Sequence, residues 1–295
     1  MAYGFGIDLG GTTVKIAFFT ESGEMLTKWE IPTVTENDGA GILSDIAAAV
    51  LGYLEKEKIA KSEVLGIGIG VPGPVDEKGW VPACDNLGWR NTDVVGQLSK
   101  LTGLAVKAGN DANMAALGEC WKGSGCNNML LVTLGTGVGG GIIINGKPLV
   151  GKNGAAGEIG HLVINREETA VCGCGKKGCA EQYCSATGLV RMAKNYATAK
   201  DVFDAANVGD EAAQAVLERY YALLAELIAN VCIVLNPEKV VIGGGVSKAG
   251  QPLLDGIARH FAKYIYHGSR DVEFALATLG NDAGAYGACK LLLDS

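Results

Sequence analysis

Asp8-Leu9-Gly10-Gly11-Thr12-Thr13-Val14-Lys15-Ile16-Ala17 is the stretch of sequence from which the fold can be worked out. It has the pattern of a strand end, a tight turn of glycine and threonine, and the start of a second strand. The pattern returns later in the chain as Thr133-Leu134-Gly135-Thr136-Gly137-Val138-Gly139-Gly140-Gly141-Ile142-Ile143. Because such a turn opens each half, we predict an internal repeat, with two similar halves that face each other across a cleft.

The segments around these turns alternate between strand and helix patterns, which predicts an α/β architecture. Strand patterns occupy 5–10, 14–20, 25–32, 64–71, 104–108, 129–133, 140–145, 239–242 and 274–279. Helical periodicity predicts helices over 41–58, 92–101, 112–121, 186–196, 211–235, 252–264 and 283–293. The segment from 72 to about 90 has the composition of a loop.

The composition excludes several classes of protein. Of 295 residues, 48% are hydrophobic and 19% are charged, so the chain has enough apolar surface for a packed core and is not disordered. Its 44 glycines lack the strict period of collagen. Because 25 Lys and Arg face 32 Asp and Glu, the net charge is −7, and we expect neither a nucleic-acid nor a membrane partner.

We expect a cytoplasmic protein. The first residues have neither the basic start nor the apolar run of a signal peptide. The best candidate for a membrane span, residues 212–235, is interrupted by Glu218, Arg219 and Glu226, so the pattern indicates a buried helix instead.

The two glycine turns contain groups suited to binding phosphate. Gly10 and Gly11 have no Cβ, so their backbone N–H groups can approach an anion closely. The side chains that add donors, a positive charge or a face for hydrated Mg²⁺ are Thr12, Thr13, Lys15 and Asp8. Thr136 and Gly137 stand in the equivalent second turn. Ordinary hairpin turns are the alternative for either segment alone, and neither has the spacing of a Walker loop.

Three cysteines and a histidine form another pattern. Cys172, Cys174 and Cys179 fall within eight residues, and His161 precedes them. Three thiolates and one imidazole make the ligand set of a structural zinc site. A cluster of reactive thiols is the alternative. Cys184 is left over, since a closed structural site holds four ligands.

Asp111 stands between a predicted strand and a predicted helix. Strand ends are where α/β proteins place ligands. An isolated aspartate before a helix, however, is most simply its N-cap, which satisfies unpaired backbone N–H groups. Taken alone, the residues favour the cap.

Together the motifs resemble the ROK family, within the superfamily of actin, Hsp70 and sugar kinases. The first glycine turn is similar to the first phosphate motif of that superfamily. Further similar stretches follow in the family's order, at residues 67–75, 110–113, 158–161 and 172–179. The resemblance implies a two-lobed actin-like ATPase (ribonuclease H-like) fold with an inter-domain cleft and a small zinc knuckle. We expect a smaller N-terminal lobe of residues 1–111 plus 282–295, and a larger lobe of residues 112–281.

The resemblance also implies roles for single residues. Asp111 would accept the proton from a sugar hydroxyl as its oxygen attacks the γ-phosphorus of ATP. The implied sugar-binding residues are Asn86, Asn110, Asp111, Glu158, His161 and Glu181. The residues implied for ATP and Mg²⁺ are Asp8, Gly10, Gly11, Thr12, Thr13, Lys15, Thr136, Gly137 and the adenosine motif Gly243, Gly244 and Gly245. The zinc ligands would be His161, Cys172, Cys174 and Cys179, with the second nitrogen of His161 on a sugar hydroxyl.

These roles predict an ATP-dependent sugar kinase. A cage of carboxylates and an amide suits a neutral sugar and repels phosphosugars and sugar acids. Residues 72–76 and 86–89 resemble the glucokinases of the family, which favours glucose, while N-acetylglucosamine, N-acetylmannosamine, fructose and allose stay open.

The competing class is a sugar-binding regulator. The family's repressors carry a winged helix ahead of the phosphate motif, and we expect none because that motif begins at residue 8. The family also implies a homodimer.

Overall fold

The computed structural model describes residues 2–294. The chain divides into two compact units, which we call unit 1 and unit 2. Unit 1 comprises Met1–Gly125, Gly146–Ala156 and Asn281–Ser295, and unit 2 comprises Cys126–Asn145 and Gly157–Gly280. The predicted lobes, 1–111 plus 282–295 and 112–281, stay a prediction.

Apart from β10, the strands form one mixed sheet in each unit and a separate hairpin. They are β1 (Tyr3–Leu9), β2 (Thr13–Thr20), β3 (Met25–Pro32), β4 (Val64–Val71), β5 (Trp80–Cys84), β6 (Trp89–Asp93), β7 (Val106–Asn110), β8 (Met129–Leu134), β9 (Val138–Ile144), β10 (Lys147–Pro148), β11 (Lys239–Gly243) and β12 (Glu273–Leu276).

The two sheets share one pattern. In unit 1 the order is β3-β2-β1-β4-β7, where β3, β2 and β1 are antiparallel and β1, β4 and β7 are parallel. In unit 2, β9 is antiparallel to β8, and β8, β11 and β12 are parallel. Each sheet therefore contains the antiparallel hairpin that carries a glycine turn and continues as parallel strands, as expected of an internal repeat.

The helices follow the strands in α/β alternation. They are α1 (Glu36–Gly39), α2 (Ile42–Glu57), α3 (Val94–Thr102), α4 (Asp111–Gly118), α5 (Glu181–Cys184), α6 (Ala186–Ala193), α7 (Ala199–Asn207), α8 (Glu211–Leu235), α9 (Gln251–Phe261) and α10 (Ala283–Leu293). The predicted ends of α8 and α10 are confirmed. The helix predicted over 112–121 is α-helical only to Gly118 and continues as a π-helical turn, Glu119–Ser124.

One prediction about local structure is wrong, and a helix of nine residues was not predicted. The predicted loop between residues 72 and 90 contains the antiparallel hairpin of β5 and β6. In β5 only Val81 and Cys84 are buried, and Pro82 interrupts the strand, so its pattern is weak. Helix α7 was not predicted, because only Val202 and Phe203 are buried along it.

Each unit has its own hydrophobic core. In unit 1 the core lies between the sheet and helices α2 and α3 and includes Phe5, Ile7 and Ile67. In unit 2 it surrounds helix α8, where Leu224 and Ile228 are fully buried. A helix and a sheet each bury one apolar face in this way, which is the layered packing expected of an α/β protein.

Candidate functional site

The carboxyl ends of β1, β4 and β7 lie at one edge of the sheet of unit 1. The register pairs Asp8 with Gly70, and Val71 with Asn110. Asp8 therefore lies at the same edge as Asp111, which directly follows β7. In open α/β sheets this is the edge at which ligands bind.

The first glycine turn is a closed hairpin tip. The N–H of Gly10 donates to the carbonyl of Thr13 at 3.0 Å, and the hydroxyl of Thr33 donates to the carbonyl of Gly10 at 2.7 Å. Gly11 is exposed at the tip. A Cβ on Gly11 would lie 3.8 Å from the Cβ of Asn86. The structure thus brings Asn86, a predicted sugar ligand, to the first predicted phosphate turn.

Lys15 forms an ion pair with Asp8. The two residues are opposite each other in the β1–β2 register, and Lys15 Nζ lies 3.4 Å from Asp8 Oδ2 and 3.4 Å from the carbonyl oxygen of Asn281. Burial raises the pKa of Asp8, and Lys15 opposes that effect. A Cβ on Gly284, the second residue of α10, would lie 2.8 Å from Asp8 Cγ, so a larger residue there would displace the Asp8 side chain or the helix. The predicted contact of Lys15 with phosphate stays a prediction.

Asp111 is the first residue of α4, and Asn110 caps the helix. Asn110 Oδ1 accepts the N–H of Asn113 at 3.1 Å. Asn110 Nδ2 donates to the carbonyl of Gly73 at 2.9 Å and to Asp111 Oδ1 at 3.0 Å. The same carboxylate oxygen accepts the N–H of Ala112 at 2.8 Å. Because Asn110 satisfies the capping requirement, the helix does not need Asp111 as its cap.

The second glycine turn, in unit 2, contacts Glu181. Glu181 Oε2 accepts the N–H of Val138 at 3.2 Å, and a Cβ on Gly137 would overlap the carboxylate. The turn is closed by the N–H of Gly135, which donates to the carbonyl of Gly137 at 3.0 Å. The N–H of Ala186 donates to the carbonyl of Gly135 at 2.8 Å. The structure therefore brings a predicted sugar ligand, Glu181, to the second predicted phosphate turn.

His161, Cys172, Cys174 and Cys179 form one cluster, in which the ligand atoms lie within 4.8 Å of one another. The Sγ atoms of Cys174 and Cys179 are 3.5 Å apart, and His161 Nδ1 is 3.8 Å from Cys172 Sγ. Zinc bonds of about 2.0–2.3 Å at tetrahedral angles would separate ligand atoms by about 3.3–3.8 Å. The donor set and its spacing therefore fit zinc, although the ion itself stays a prediction.

The thiols of this cluster differ in acidity. Cys174 is exposed, and a hydrogen bond from the backbone N–H of Lys176 lowers its pKa. Cys179 is buried, and burial together with the neighbouring thiols raises its pKa to about 12. A divalent cation would compensate the charge of a buried thiolate, as it does in structural zinc sites.

Glu158, His161 and Glu181 lie around this cluster. His161 Nδ1 faces Cys172, whereas Nε2 lies 4.0 Å from Glu158 Oε2. Glu181 Oε1 lies 3.9 Å from Cys172 Sγ. The two ring nitrogens of His161 thus face different partners, an arrangement compatible with its predicted contacts to a metal and to a sugar hydroxyl.

A cavity of ≈ 300 Å³ in unit 2 adjoins the glycine turn that follows β11. Gly245 and Val246 line it on one side, and Phe203 and Asn207 of α7 line another. Ala186 also lines the cavity and donates its N–H to the second glycine turn. The predicted adenosine motif and the second phosphate turn are therefore neighbours.

The α7 residues that line this cavity were not predicted from the sequence. A signal was present, because Thr198 and Asp201 form a capping box at the start of that helix. No role was predicted for Asn113, which is 2% exposed and whose Oδ1 has no hydrogen-bond partner among residues 2–294. Asn113 belongs to the stretch 110–113 that resembles the ROK family, but that resemblance was not used to give it a role of its own.

Comparison with known proteins identifies the family. A family model described as the ROK family matches residues 4–295. The protein belongs to the ROK family. It is 47% identical to a glucokinase of Halalkalibacterium halodurans, over 96% of this chain and 92% of that protein. It is 32% identical to an N-acetyl-D-glucosamine kinase of Escherichia coli O1:K1, over 98% and 99% of the two chains. Among solved structures, a ROK family glucokinase from Streptomyces griseus in complex with glucose and AMPPNP is 32% identical, with a TM-score of 0.78 over 100% of both chains.

Membership of the ROK family confirms the predicted family and its actin-like α/β fold class. The mixed sheets and the Cys/His cluster agree with that class. The cleft, the homodimer and the roles of the single residues stay predictions. No helix within residues 2–294 combines the length and apolarity needed to cross a bilayer.

Proposed function

We propose that this ROK protein transfers the γ-phosphoryl group of MgATP to the 6-hydroxyl of glucose, with Asp111 as the general base. The predicted enzyme class, an ATP-dependent sugar kinase, is confirmed by the relatives named glucokinase and by the relative in complex with glucose and AMPPNP. The identity of the sugar, the hydroxyl that reacts and the base are what we add.

The position of Asp111 is the observation that carries the proposal. Its carboxylate follows β7 at the sheet edge that also holds Asp8, and its Oδ1 is oriented by N–H donors from Asn110 and Ala112. A carboxylate held in one orientation can accept a proton from a hydroxyl at hydrogen-bond distance. Such general-base catalysis contributes typically about 10²–10⁴-fold to the rate.

We assign the phosphates of ATP to the two glycine turns and the adenosine to the cavity beside Gly245. The support within unit 2 is the residue Ala186, which lines that cavity and bonds to the second turn. Asp8 would face the hydrated Mg²⁺ that accompanies ATP. Phosphoryl transfer depends mainly on positioning and charge neutralisation, and backbone N–H groups at glycine turns provide both.

We assign the sugar hydroxyls to Asn86, Asn110, Asp111, Glu158, His161 and Glu181. Their carboxylates and amides suit a neutral polyhydroxylated ligand. A zinc ion bound by Cys172, Cys174, Cys179 and His161 would be structural, because a closed set of four ligands has no open position for water. It would hold the segment that carries Glu158, His161 and Glu181.

Asp111→Asn tests the base. Asparagine keeps an oxygen that can accept the N–H groups of Ala112 and Asn110 but cannot take a proton from the sugar. We expect kcat to fall about 10²–10⁴-fold while the thermal midpoint and the affinity for glucose stay unchanged. Asp45→Asn, the same change at an exposed position of α2, is the control. A kcat for Asp111→Asn within twofold of wild type would remove Asp111 from the chemistry.

N-acetylglucosamine is the second candidate substrate, because a relative that is 32% identical bears the name of a kinase for it. A pocket difference of one small group changes transition-state binding by only about 1–3 kcal/mol. Release of ADP measured across hexoses and N-acetylhexosamines decides between them. We expect the highest kcat/KM for glucose; a higher value for N-acetylglucosamine would correct the substrate and leave the reaction in place.

A further inference from the structure

The chain between the proposed zinc ligands His161 and Cys172 is fixed at its centre by Glu168. Glu168 Oε2 accepts the hydroxyl hydrogen of Tyr183 at 2.6 Å and an N–H of Arg191 at 2.8 Å. Its Oε1 accepts the backbone N–H groups of Thr169 and Ala170 at 2.9 and 3.0 Å. Both oxygens therefore have two donors each, and the side chain of Glu168 is only 11% exposed although it lies in a loop.

Further contacts hold the partners of Glu168 in place. The guanidinium carbon of Arg191 lies 4.9 Å from the centre of the Tyr183 ring, a cation–π contact. Asn165 Nδ2 donates to the Tyr183 hydroxyl at 2.6 Å, so that hydroxyl accepts one hydrogen bond and donates another. The Tyr183 hydroxyl, the N–H of Ala170 and Arg191 hold the pKa of Glu168 at about 2, so it is charged at any physiological pH. We call Glu168, Tyr183 and Arg191 the Glu168 clamp.

Helix α5 connects the clamp to the proposed site. Of its residues, Tyr183 contacts Glu168, whereas Glu181 lies beside Cys172 and the second glycine turn. Between them, Gln182 Oε1 accepts the N–H groups of Gly178 and Cys179, and its Nε2 donates to the carbonyl of Ala170. Consecutive residues of one short helix thus bind the loop before Cys172, the loop that ends at Cys179, and the second turn.

We propose that the Glu168 clamp is a positioning device, which holds the loop between His161 and Cys172 so that zinc is retained and His161 and Glu181 meet the sugar in a fixed arrangement. This inference rests on the proposed zinc site and the proposed sugar kinase reaction. Without the clamp, the loop would gain conformational freedom and its ligands would have to be reordered each time the metal binds. Residues that hydrogen-bond metal ligands typically change metal affinity 10–100-fold, and we expect an effect of that order from the clamp, which holds the backbone between two of the ligands.

The test compares zinc release from the full-length, zinc-loaded protein and its variants Glu168→Gln and Tyr183→Phe. Each protein is mixed with the chelating dye 4-(2-pyridylazo)resorcinol, and the colour of the zinc complex gives the release rate. Tyr183→Phe keeps the ring above which Arg191 lies and removes only the hydroxyl. Glu168→Gln keeps the size of the side chain and removes its charge. We expect about 10–100-fold faster release in both variants.

Glu218→Gln is the matched control, because Glu218 on α8 likewise accepts hydrogen bonds from an arginine, Arg259, and from a second residue, His260. It should release zinc at the wild-type rate. Kinetics with glucose provide the second readout. The clamp variants should raise KM severalfold, because they loosen proposed sugar ligands. They should leave kcat within about twofold, because the proposed base, Asp111, belongs to unit 1 and the clamp to unit 2.

Release rates within twofold of wild type in both clamp variants would overturn the clamp, while an unchanged kinase activity would leave the proposed function standing. A wild-type protein that holds no zinc by metal analysis would overturn the zinc site and the clamp together, and its phosphorylation of glucose would still be measured separately. If Glu168→Gln does not fold, the milder Tyr183→Phe decides the outcome.

Discussion

Cys174 and Cys179 are neighbours with opposite acidities. Their sulfur atoms lie 3.5 Å apart, yet the backbone of Lys176 lowers the pKa of the exposed Cys174, whereas burial raises that of Cys179 to about 12. The thiolate is the form that attacks alkylating reagents. In protein stripped of zinc, Cys174 is therefore the reactive member of the pair.

Alkylation with iodoacetamide checks this difference. After treatment with a chelator, we expect Cys174 to be modified before Cys179. As the pH is raised, the modification rate of Cys174 should reach its plateau at a lower pH than the rate of an ordinary thiol. Each unit by which a pKa is lowered raises the thiolate fraction about tenfold below that pKa. Buried Cys289, whose pKa burial raises to about 12, is the internal control for the folded state. Peptide mass spectrometry gives the rates; equal labelling of Cys174 with and without added zinc would contradict metal binding.

Asp111 shows how far the role of a single residue can be predicted from the sequence. Taken alone, an aspartate before a helix indicates a cap, but in the structure the residue before it, Asn110, is the cap. A shift of one position is beyond the precision of a predicted helix end. The proposed zinc ligands were easier to find, because three of the four lie within eight residues of sequence, and the structure brings all four together.

At the scale of elements, the glycines of β1 and β4 form the face on which α10 packs. A Cβ on Gly6 would overlap the carbonyl oxygen of Ala285, and one on Gly68 would overlap that of Ala288. The helix backbone therefore lies directly against the strands. The alternation of glycine with isoleucine predicts the strand at 64–71, but it does not indicate which element covers the glycine face.

Gly68→Ala tests this contact. The added methyl group has no space unless α10 moves, and overpacking of a core costs typically about 1–3 kcal/mol. We expect a lower midpoint of urea unfolding. In Gly52→Ala, on α2, nothing lies within 4 Å of the new Cβ, so this variant should gain about 0.5–1 kcal/mol through its helix propensity. Equal midpoints for the two variants would show that α10 is not packed as described.

Elements whose ends have clear capping signals in the sequence were predicted well, whereas short elements were not. Helix α8 is preceded by its N-cap, Asp210, and followed by Asn236, whose φ of 46° is left-handed. Both ends therefore have local signals in addition to the apolar periodicity. The hairpin of β5 and β6 lacks a long apolar pattern. The cavity beside Gly245 combines α7 with residues far from it in the chain, and no local pattern contains that information.

At the scale of the whole molecule, each unit repeats one sheet pattern around its own core. The repeat of the glycine turns predicts this organisation, since a turn of the same kind opens each sheet. All four proposed zinc ligands belong to unit 2, and the core of unit 1 contains none of them. The metal should therefore stabilise one unit locally.

Hydrogen exchange read by mass spectrometry can locate the effect of removing zinc. Two backbone hydrogen bonds join the segment after His161 to the segment around Cys179, from the N–H of Ile164 to Gly178 and from the N–H of Ala180 to Leu162. Because opening of this loop no longer has to break metal bonds once the ion is removed, these amides should exchange faster in protein treated with a chelator. Amides of β1 and β4 should exchange at their original rates.

Cys174→Ala should reproduce the same pattern of exchange without any chelator, because it removes one of the four proposed ligands. The variant separates loss of the metal from side effects of the chelator. Faster exchange in β1 and β4 would mean that the metal supports the whole chain, and unchanged exchange at Ile164 and Ala180 would mean that the loop holds its structure without zinc. Because each unit has its own sheet and core, we expect faster exchange at Ile164 and Ala180 and unchanged exchange in β1 and β4.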